Sequence, residues 1–283
     1  MTIWTLGSVN ADLVFRVPHL PAPGETLAAT DFSRGLGGKG ANMSVAATRA
    51  GSRVEHIGAV GEDGGWMKDR LAGYGVSVTH LAEMRGPSGQ AVIELDDEGE
   101  NRIIILPGTN RRIDIMGFDE ILSEAEEGDW ALFQNETNGL LDFAQAAKAR
   151  GLPLAHAAAP FDAEAVAPLL ELLDLLVMNQ VEAEQLQTAT GLAPEALPVR
   201  DVVITLGAKG ARWIGADGDR SFEAPKVRPV DTTGAGDTFT GYLVAGLEQG
   251  LAMAEAIELA QRAAAVMVTR MGTADVIPKR DEL

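Results

Sequence analysis

Residues 231–237, Asp-Thr-Thr-Gly-Ala-Gly-Asp, place a carboxylate directly after a run of small residues, at the start of a predicted helix. Backbone N–H groups of Gly234, Ala235 and Gly236 at a helix N-terminus form an anion site, which the helix dipole strengthens. A carboxylate at Asp237 can accept a proton from a hydroxyl group while the amides stabilise a phosphoryl group in transfer. The structural alternative is an acidic residue that only favours the helix start.

A second glycine-rich segment, 34–42 (RGLGGKGAN), matches the G-x-G-x-x-G pattern of dinucleotide sites. That interpretation requires the motif directly after the first buried strand, which here ends about 25 residues earlier. A P-loop is excluded because Gly40 follows Lys39, where Ser or Thr would bind magnesium. Two interpretations remain: a bare turn with a solvated lysine, or a loop that approaches a ligand closely while Lys39 and Asn42 hydrogen-bond its hydroxyl groups.

Two kinds of segment alternate along the chain and must position these loops. Short apolar runs predict buried strands at 3–9, 54–60, 130–134, 152–155, 173–178 and 202–206. Helical patterns predict helices at 41–50, 66–74, 140–149, 181–190, 238–249 and 252–269. Alternation of this kind indicates an α/β fold in which helices cover both faces of a mostly parallel sheet.

Two polar β segments, 10–35 and 88–106, do not fit that alternation. Within the second, 91–95 and 102–106 flank an acidic turn and predict a hairpin. We expect the two segments to form a small accessory sheet beside the main one. No linker divides the chain, so residues 1–283 are expected to form a single domain.

Composition limits the classes of partner. The chain has 283 residues, 23 Lys and Arg against 41 Asp and Glu, and a formal net charge of −18, which disfavours nucleic acid as a partner. There is no cysteine, and no apolar run long enough to span a membrane. The N-terminus lacks the pattern of a signal peptide, and the terminal RDEL is interpreted as a chance polar sequence. We therefore expect a cytoplasmic protein without membrane or nucleic-acid partners.

The two glycine-rich segments, in this order and near opposite ends of the chain, resemble the ribokinase-like (PfkB) carbohydrate kinases, and the N-terminal motifs are most similar to those of ribokinase. The similarity covers nearly the whole chain and continues through residues 7–12, 23–26, 61–63, 178–184 and 204–207. In that family the first glycine-rich segment holds the phosphoryl acceptor and not the nucleotide.

The resemblance implies roles position by position. Asp237 is similar to the catalytic base, and Gly234, Ala235 and Gly236 are similar to the anion hole. Sugar contacts are implied at Asn10, Asp12, Gly38, Lys39, Asn42 and Glu136. Nucleotide contacts are implied at Asn179, Thr205 and Gly207, a water-bridged Mg²⁺ at Glu182, and a potassium-like ion at Asp231. Asn179 and Glu182 also fit a helix capping box, and the two roles are compatible.

The resemblance also implies a three-layer α/β/α fold with a β-sheet lid, formed by 10–35 and 88–106, that closes over the sugar and mediates a homodimer. The implied reaction is ATP-dependent transfer of the γ-phosphoryl group to a primary hydroxyl of a small sugar, and the best single prediction is ribose to ribose 5-phosphate. Kinases of nucleosides, fructose or 2-keto-3-deoxygluconate remain alternatives, as does a non-catalytic ligand-binding regulator on the same fold.

Several positions depart from the family pattern. Gln180 replaces a common Glu, and 156–159 (HAAA) stands where a typical ribokinase has Asn-Pro-Ala-Pro. The segment 191–202 is too short for the usual helix, and Tyr242 replaces a small residue. His156 is expected to be a packing or strand-end residue. These departures leave the identity of the sugar, the nucleotide geometry, the ion dependence and the oligomeric state open.

Overall fold

The computed structural model describes residues 1–216 and 218–283. Asp217 lies outside the described residues. In chain order the strands are β1 (Thr2–Leu6), β2 (Asn10–Arg16), β3 (Asp31–Gly37), β4 (Arg53–Val60), β5 (Leu81–Glu83), β6 (Gly89–Leu95), β7 (Asn101–Leu106), β8 (Trp130–Gln134), β9 (Leu154–Ala157), β10 (Leu175–Asn179), β11 (Asp201–Thr205), β12 (Ala211–Gly215) and β13 (Gly218–Phe222). The helices are α1 (Lys39–Arg49), α2 (Gly65–Gly73), α3 (Phe118–Ile121), α4 (Leu140–Ala149), α5 (Ala163–Val166), α6 (Gln180–Thr190), α7 (Ala235–Glu248) and α8 (Met253–Met267).

The larger sheet has the strand order β13-β12-β11-β10-β9-β8-β1-β4-β5. All of its pairings are parallel except those of β11 with β12 and β12 with β13. Successive residues of β1 enter opposite cores: Ile3 packs in the cluster with α1, α7 and α8, and Trp4 packs in the cluster with α4 and α6. Because side chains alternate across a strand, both faces of this apolar strand are buried. The predicted three-layer α/β/α fold is confirmed.

The smaller sheet has the order β3-β2-β6-β7, and its strands come from the two polar β segments predicted above. β6 and β7 form the expected antiparallel hairpin, whose turn is closed by the Asp96 carboxylate accepting hydrogen bonds from the N–H groups of Glu98 and Glu100. Between β2 and β3 the chain is not a strand over residues 17–30. Three prolines in that stretch (Pro18, Pro21 and Pro23) cannot donate ladder hydrogen bonds.

Some elements differ from the sequence prediction. The strands β12 (ARWIG) and β13 (GDRSF) were missed because they are short and charged residues interrupt their apolar residues. The short segment after α6 forms only a 3₁₀ turn at Pro194–Ala196. Helix α7 begins at Ala235, three residues before the predicted start. None of the described helices is both long and apolar enough to cross a membrane.

The first glycine-rich segment is mostly not a loop. β3 continues through Gly37, and α1 begins at Lys39. Only Gly38 forms the turn, with φ of 92°, a left-handed conformation that favours glycine. The strand of the small sheet therefore runs almost directly into a helix that packs on the large sheet, which places Lys39 at the junction of the two sheets.

Candidate active site

Asp237 lies at the start of α7, where two features of the sequence position it. Gly234 adopts a left-handed conformation (φ 74°) as the residue before the helix, and Asp237 follows in the first turn, 6% exposed. The N–H of Ala235 donates to Thr232 O at 3.2 Å. The Ala235 amide, one of the three predicted for the anion site, is therefore already used in a turn. The other two, those of Gly234 and Gly236, make no hydrogen bond to a described residue.

The Asp237 carboxylate contacts two side chains of α1. Asn42 Nδ2 donates to Oδ2 at 2.8 Å, and Lys39 Nζ lies 3.7 Å from Oδ1. The charge of Asp237 is the main reason that the pKa of Lys39 is raised above its ordinary value, so the ammonium stays charged. The structure thus joins the two glycine-rich segments into one site, and it places a cation and an amide donor on the proposed base.

Glu136, two residues after the end of β8, connects that site to the segment that follows β1. Its Oε2 accepts hydrogen bonds from the backbone N–H of Lys39 at 3.1 Å and from the hydroxyl of Ser8. Ser8 Oγ also accepts from the N–H of Gly40 at 3.2 Å. The first turn of α1 is therefore held by polar contacts to the segments that follow β1 and β8. Ser8 was not singled out from the sequence, because nothing in its neighbourhood marks a hydroxyl whose partner is 128 residues away.

Asp12 projects from β2 into the same region. Burial raises the pKa of its carboxyl group to about 7, and the nearby charges of Glu136 and Asp237 act in the same direction. Thr273, another residue missed from the sequence, interacts with Asp12, and its hydroxyl also donates to Leu36 O at 2.9 Å. Three carboxylates thus face one small region, and a group that donates several hydrogen bonds would relieve their repulsion.

Asn10, two residues before Asp12 on β2, is 5% exposed, and its Oδ1 accepts a hydrogen bond from Asn110 Nδ2. Gly38, also predicted as a sugar contact, lies between β3 and α1 at the edge of the same region. All six predicted sugar-contact residues therefore lie on elements that meet at the junction of the two sheets.

A cavity of about 230 Å³ opens beside Asp237 and brings several of the predicted residues together. Its lining includes Lys39, Asn179, Glu182, Thr205 and Asp237. A second cavity, of about 390 Å³, is lined mainly by apolar groups and shares Thr205 with the first, and Gly207 borders it. The two cavities also share Thr232 and Gly236, so they form one continuous depression along the N-terminus of α7.

Asn179 and Glu182 form the capping box that the sequence allowed. Asn179 Oδ1 accepts from the N–H of Glu182 at 2.9 Å, and Glu182 Oε2 accepts from the N–H of Asn179 at 2.7 Å. Glu182 nevertheless lines the cavity, and burial raises the pKa of its carboxyl group. Capping uses one carboxylate oxygen, which leaves Oε1 for a ligand. Gln180 instead points along its helix, where Nε2 donates to Glu184 at 3.1 Å.

Asp231 connects two loops outside this cavity. Its Oδ1 accepts from the N–H of Thr233 at 2.9 Å and its Oδ2 from the N–H of Gly272 at 3.1 Å. The backbone N–H of Asp231 donates to Val268 O at 3.2 Å. The loop before α7 and the loop after α8 are thereby held together where the potassium-like ion was predicted. Each carboxylate oxygen retains a lone pair that could face a cation.

His156 is fully buried in β9, where its ring packs on Phe133 at a centroid distance of 4.6 Å. Burial lowers the pKa of its imidazole to about 3, so the ring is neutral. Neither ring nitrogen has a hydrogen-bond partner among the described residues. Tyr242 is also buried, and its hydroxyl donates to Pro278 O at 2.6 Å. The two residues that depart from the family pattern, His156 and Tyr242, are therefore both core side chains.

Comparison with known proteins agrees with this architecture. The family model described as pfkB family carbohydrate kinase matches residues 2–280. Ribokinase from Haemophilus influenzae is 36% identical over 298 residues, which cover 99% of this chain and 96% of the relative.

Solved structures match over the same extent. Ribokinase from Thermotoga maritima has a TM-score of 0.90 at 31% identity, over 99% of this chain and 97% of that one. Arabidopsis thaliana ribokinase, solved in complex with ribose and ATP, has a TM-score of 0.86 at 28% identity, over 99% of this chain and 96% of that one. With the family model matching nearly every residue and the fold matching throughout, this chain belongs to the pfkB family of carbohydrate kinases.

Proposed function

We propose that this protein is an ATP-dependent ribose kinase, which transfers the γ-phosphoryl group of ATP to the primary hydroxyl of ribose and releases ribose 5-phosphate and ADP. The observation that carries the proposal is the position of Asp237, between the polar junction of the two sheets and the depression along α7. The ribokinases described above support ribose as the acceptor, and the one solved with ribose and ATP supports this pair of substrates.

The sugar would lie at the junction of the sheets, held by Asn10, Asp12, Gly38, Lys39, Asn42 and Glu136. Ionised carboxylates only accept hydrogen bonds, and a sugar presents several O–H donors, so the acidic cluster suits a polyol. Lys39 would lie near both the base and the migrating phosphoryl group, since its ammonium is close to Asp237 and lines the cavity.

In the proposed reaction, the primary hydroxyl oxygen attacks the γ-phosphorus as its proton passes to an Asp237 carboxylate oxygen. The new O–P bond forms, and the bond from the γ-phosphorus to the bridging oxygen breaks, so that ADP leaves with that electron pair. The free amides of Gly234 and Gly236 would stabilise the charge on the moving group, and the dipole of α7 adds to this effect. The residues thus act mainly by positioning and by electrostatic stabilisation.

The nucleotide would occupy the depression along α7. The apolar 390 Å³ cavity is large enough for the adenine and ribose of ATP, and Thr205 and Gly207 border it on the side of the phosphates. Asn179 would contribute at the junction with the smaller cavity. The base would thus be held by apolar contact and the phosphates by backbone amides.

Mg²⁺ would screen the phosphate charges. Among residues 1–216 and 218–283 there is no cluster of three or more His, Cys, Asp or Glu side chains that could ligate a metal. An ion held mainly by phosphates and water, with Glu182 Oε1 contacting it through a water molecule, is the arrangement that this donor set suits. Asp231 with nearby carbonyl groups would hold a monovalent cation such as K⁺.

The small sheet, residues 10–35 with 88–106, would act as a lid of the single 1–283 domain. It carries Asn10 and Asp12, so its movement toward the large sheet would cover the sugar and exclude water that would otherwise hydrolyse ATP. The cytoplasmic location expected from the sequence is part of the same proposal, and the absence of cysteine supports it.

We expect the lid to mediate a homodimer, because β7 is an edge strand with apolar side chains on both faces. Ile103, Ile104, Ile105 and Leu106 are each 45–59% exposed. The double substitution of Ile103 and Ile105 by Lys should convert a dimer to a monomer in light-scattering measurements, while Met116→Lys, which replaces an apolar residue that is 83% exposed outside the lid, should not. A monomeric wild-type protein, or a dimer that survives the double substitution, would contradict this expectation.

The function is tested by acceptor-dependent release of ADP from the purified protein. The panel should include ribose, fructose, 2-keto-3-deoxygluconate and nucleosides, each with and without K⁺. Ribose is expected to give the highest kcat/KM and a product phosphorylated at its primary hydroxyl. A higher kcat/KM for another acceptor would replace ribose as the substrate, and no acceptor-dependent release at all would favour the ligand-binding regulator.

A further inference from the structure

Asn110 is a buried residue whose side chain contacts Asn10, one of the residues proposed to bind the sugar. It lies in the 3₁₀ turn Gly108–Arg111, directly after the lid strand β7, and is 2% exposed. The backbone N–H of Val9 donates to Asn110 Oδ1 at 3.0 Å. Because a backbone N–H can only donate, this contact fixes which end of the Asn110 amide is the oxygen.

The orientation of the Asn110 amide in turn fixes the orientation of the Asn10 amide. With its oxygen held by Val9, Asn110 presents Nδ2, which donates to Asn10 Oδ1 at 2.7 Å. The Asn10 amide is thereby oriented as well, and this bond to Oδ1 is the one hydrogen bond of the Asn10 side chain among the described residues. The backbone N–H of Val9 thus determines which side-chain atom donates and which accepts, first in Asn110 and through it in Asn10.

Gly89 supplies an independent sign that this contact is built into the fold. Gly89 is the parallel partner of Asn10 in the small sheet. A Cβ atom at position 89 would lie 2.1 Å from Asn10 Oδ1 and 2.2 Å from Asn110 Nδ2. The space that a side chain would fill is therefore occupied by the Asn10–Asn110 hydrogen bond, and only glycine leaves room for it.

We propose that Asn110 is a positioning residue, which holds the Asn10 amide with Nδ2 toward the sugar and so makes the lid strand present a donor at Asn10 and an acceptor at Asp12. The inference rests on the proposed function, because it takes Asn10 as a sugar contact. Residues 10 and 12 are two apart on β2 and project from the same face. The strand would thus select a substrate with a hydrogen-bond acceptor opposite Asn10 and a hydroxyl donor opposite Asp12.

Asn110→Asp tests this directly, because it is nearly isosteric and retains the acceptor for the Val9 N–H. The second carboxylate oxygen cannot donate to Asn10 Oδ1, so the Asn10 amide must turn over and point its oxygen at the sugar. The dissociation constant of ribose, measured by calorimetry without ATP, is expected to rise on the order of 10-fold to 100-fold, and the KM for ATP is expected to stay within about twofold.

Asn138→Asp is the matched control. Asn138 makes a comparable pair of contacts with the backbone of Ile113, at 2.9 Å each, and its N–H donates to Asn110 O, but its side chain does not contact Asn10. The same substitution there is expected to leave the ribose dissociation constant within about twofold of the wild type, since it does not change the group that faces the sugar.

A double-substitution cycle separates positioning from general destabilisation. In an Asn10→Ala background there is no amide to orient, so adding Asn110→Asp should change ribose binding by less than about twofold. Equal weakening in both backgrounds, or unchanged ribose binding in Asn110→Asp, would overturn the inference. If Asn110→Asp does not fold, Asn10→Asp keeps the contact to Asn110 Nδ2 and places an oxygen where Nδ2 faced the sugar. It should then weaken ribose binding by a similar factor, and unchanged binding would again overturn the inference.

The outcome is separable from that of the proposed function. Wild-type protein that binds ribose but releases no ADP would contradict the kinase activity, while the binding comparison would still decide the role of Asn110. Wild-type protein that does not bind ribose would contradict both.

Discussion

Replacing Asp237 by Asn is expected to lower kcat by about 10²-fold to 10⁴-fold, the range of general-base catalysis, while ribose and ATP still bind. Asparagine has nearly the same size and can still occupy the first turn of α7, but its amide cannot take up the proton of the attacking hydroxyl. It also removes the charge that faces Lys39 at 3.7 Å, but its amide oxygen can still accept the hydrogen bond from Asn42. Substrate affinities are therefore expected to shift by only a few-fold, while turnover is nearly lost.

The measurement is steady-state turnover together with calorimetric binding of ATP and of ribose. Asp142→Asn is the matched control, since Asp142 is an exposed acidic residue in the first turn of α4 and contributes to a helix start in the same way. A similar loss of turnover in both variants, or normal turnover in Asp237→Asn, would mean that Asp237 only stabilises its helix.

Replacing Asp12 by Asn is expected to stabilise the protein above neutral pH and to weaken its affinity for ribose. The folded-state pKa of Asp12 is raised to about 7, above the ordinary 3.8, chiefly by burial. Because this pKa is raised, the contribution of the protonated Asp12 carboxyl group to stability is fully present below about pH 4. It is lost as the pH rises toward 7. Removing the carboxylate should therefore increase the free energy of unfolding by on the order of 4 kcal/mol at pH 8, and by little at pH 4.

Chemical denaturation at a series of pH values measures that effect, and ribose titrations on the same samples measure its cost in function. In the wild type, the dissociation constant of ribose should fall as pH rises through about 7, because the ionised carboxylate is the stronger acceptor for sugar hydroxyls. In Asp12→Asn it should be about 10-fold to 100-fold weaker above pH 8 and independent of pH in this range. A variant with the same stability difference at pH 4 and pH 8 would contradict the raised pKa.

The sequence was sufficient for the architecture of the large sheet, because strands such as β1 and β8 are buried on both faces and contain no charged residue. The same reasoning failed for β12 and β13. They are the last two strands at one end of the sheet, where Arg212 pairs with Asp219 and polar side chains are tolerated. Apolar runs indicate burial, so they do not reveal strands that are only half covered.

The site divides in a similar way. Asp237 and the amides beside it could be predicted, since their chemistry follows from neighbours in sequence. Ser8, Asn110 and Thr273 could not, because their roles depend on hydrogen bonds between residues about 100 or more positions apart. The involvement of the Ala235 N–H in a turn was likewise invisible, since it depends on the backbone path of residues 232–235.

The most direct test of the central claim is a crystal structure of the protein with ribose and a non-hydrolysable ATP analogue. The account predicts that an Asp237 carboxylate oxygen lies within hydrogen-bond distance, about 2.6–3.2 Å, of the primary hydroxyl oxygen, with the γ-phosphorus on the other side of that hydroxyl. A carboxylate turned away from the sugar, or separated from the hydroxyl by more than one water molecule, would contradict it.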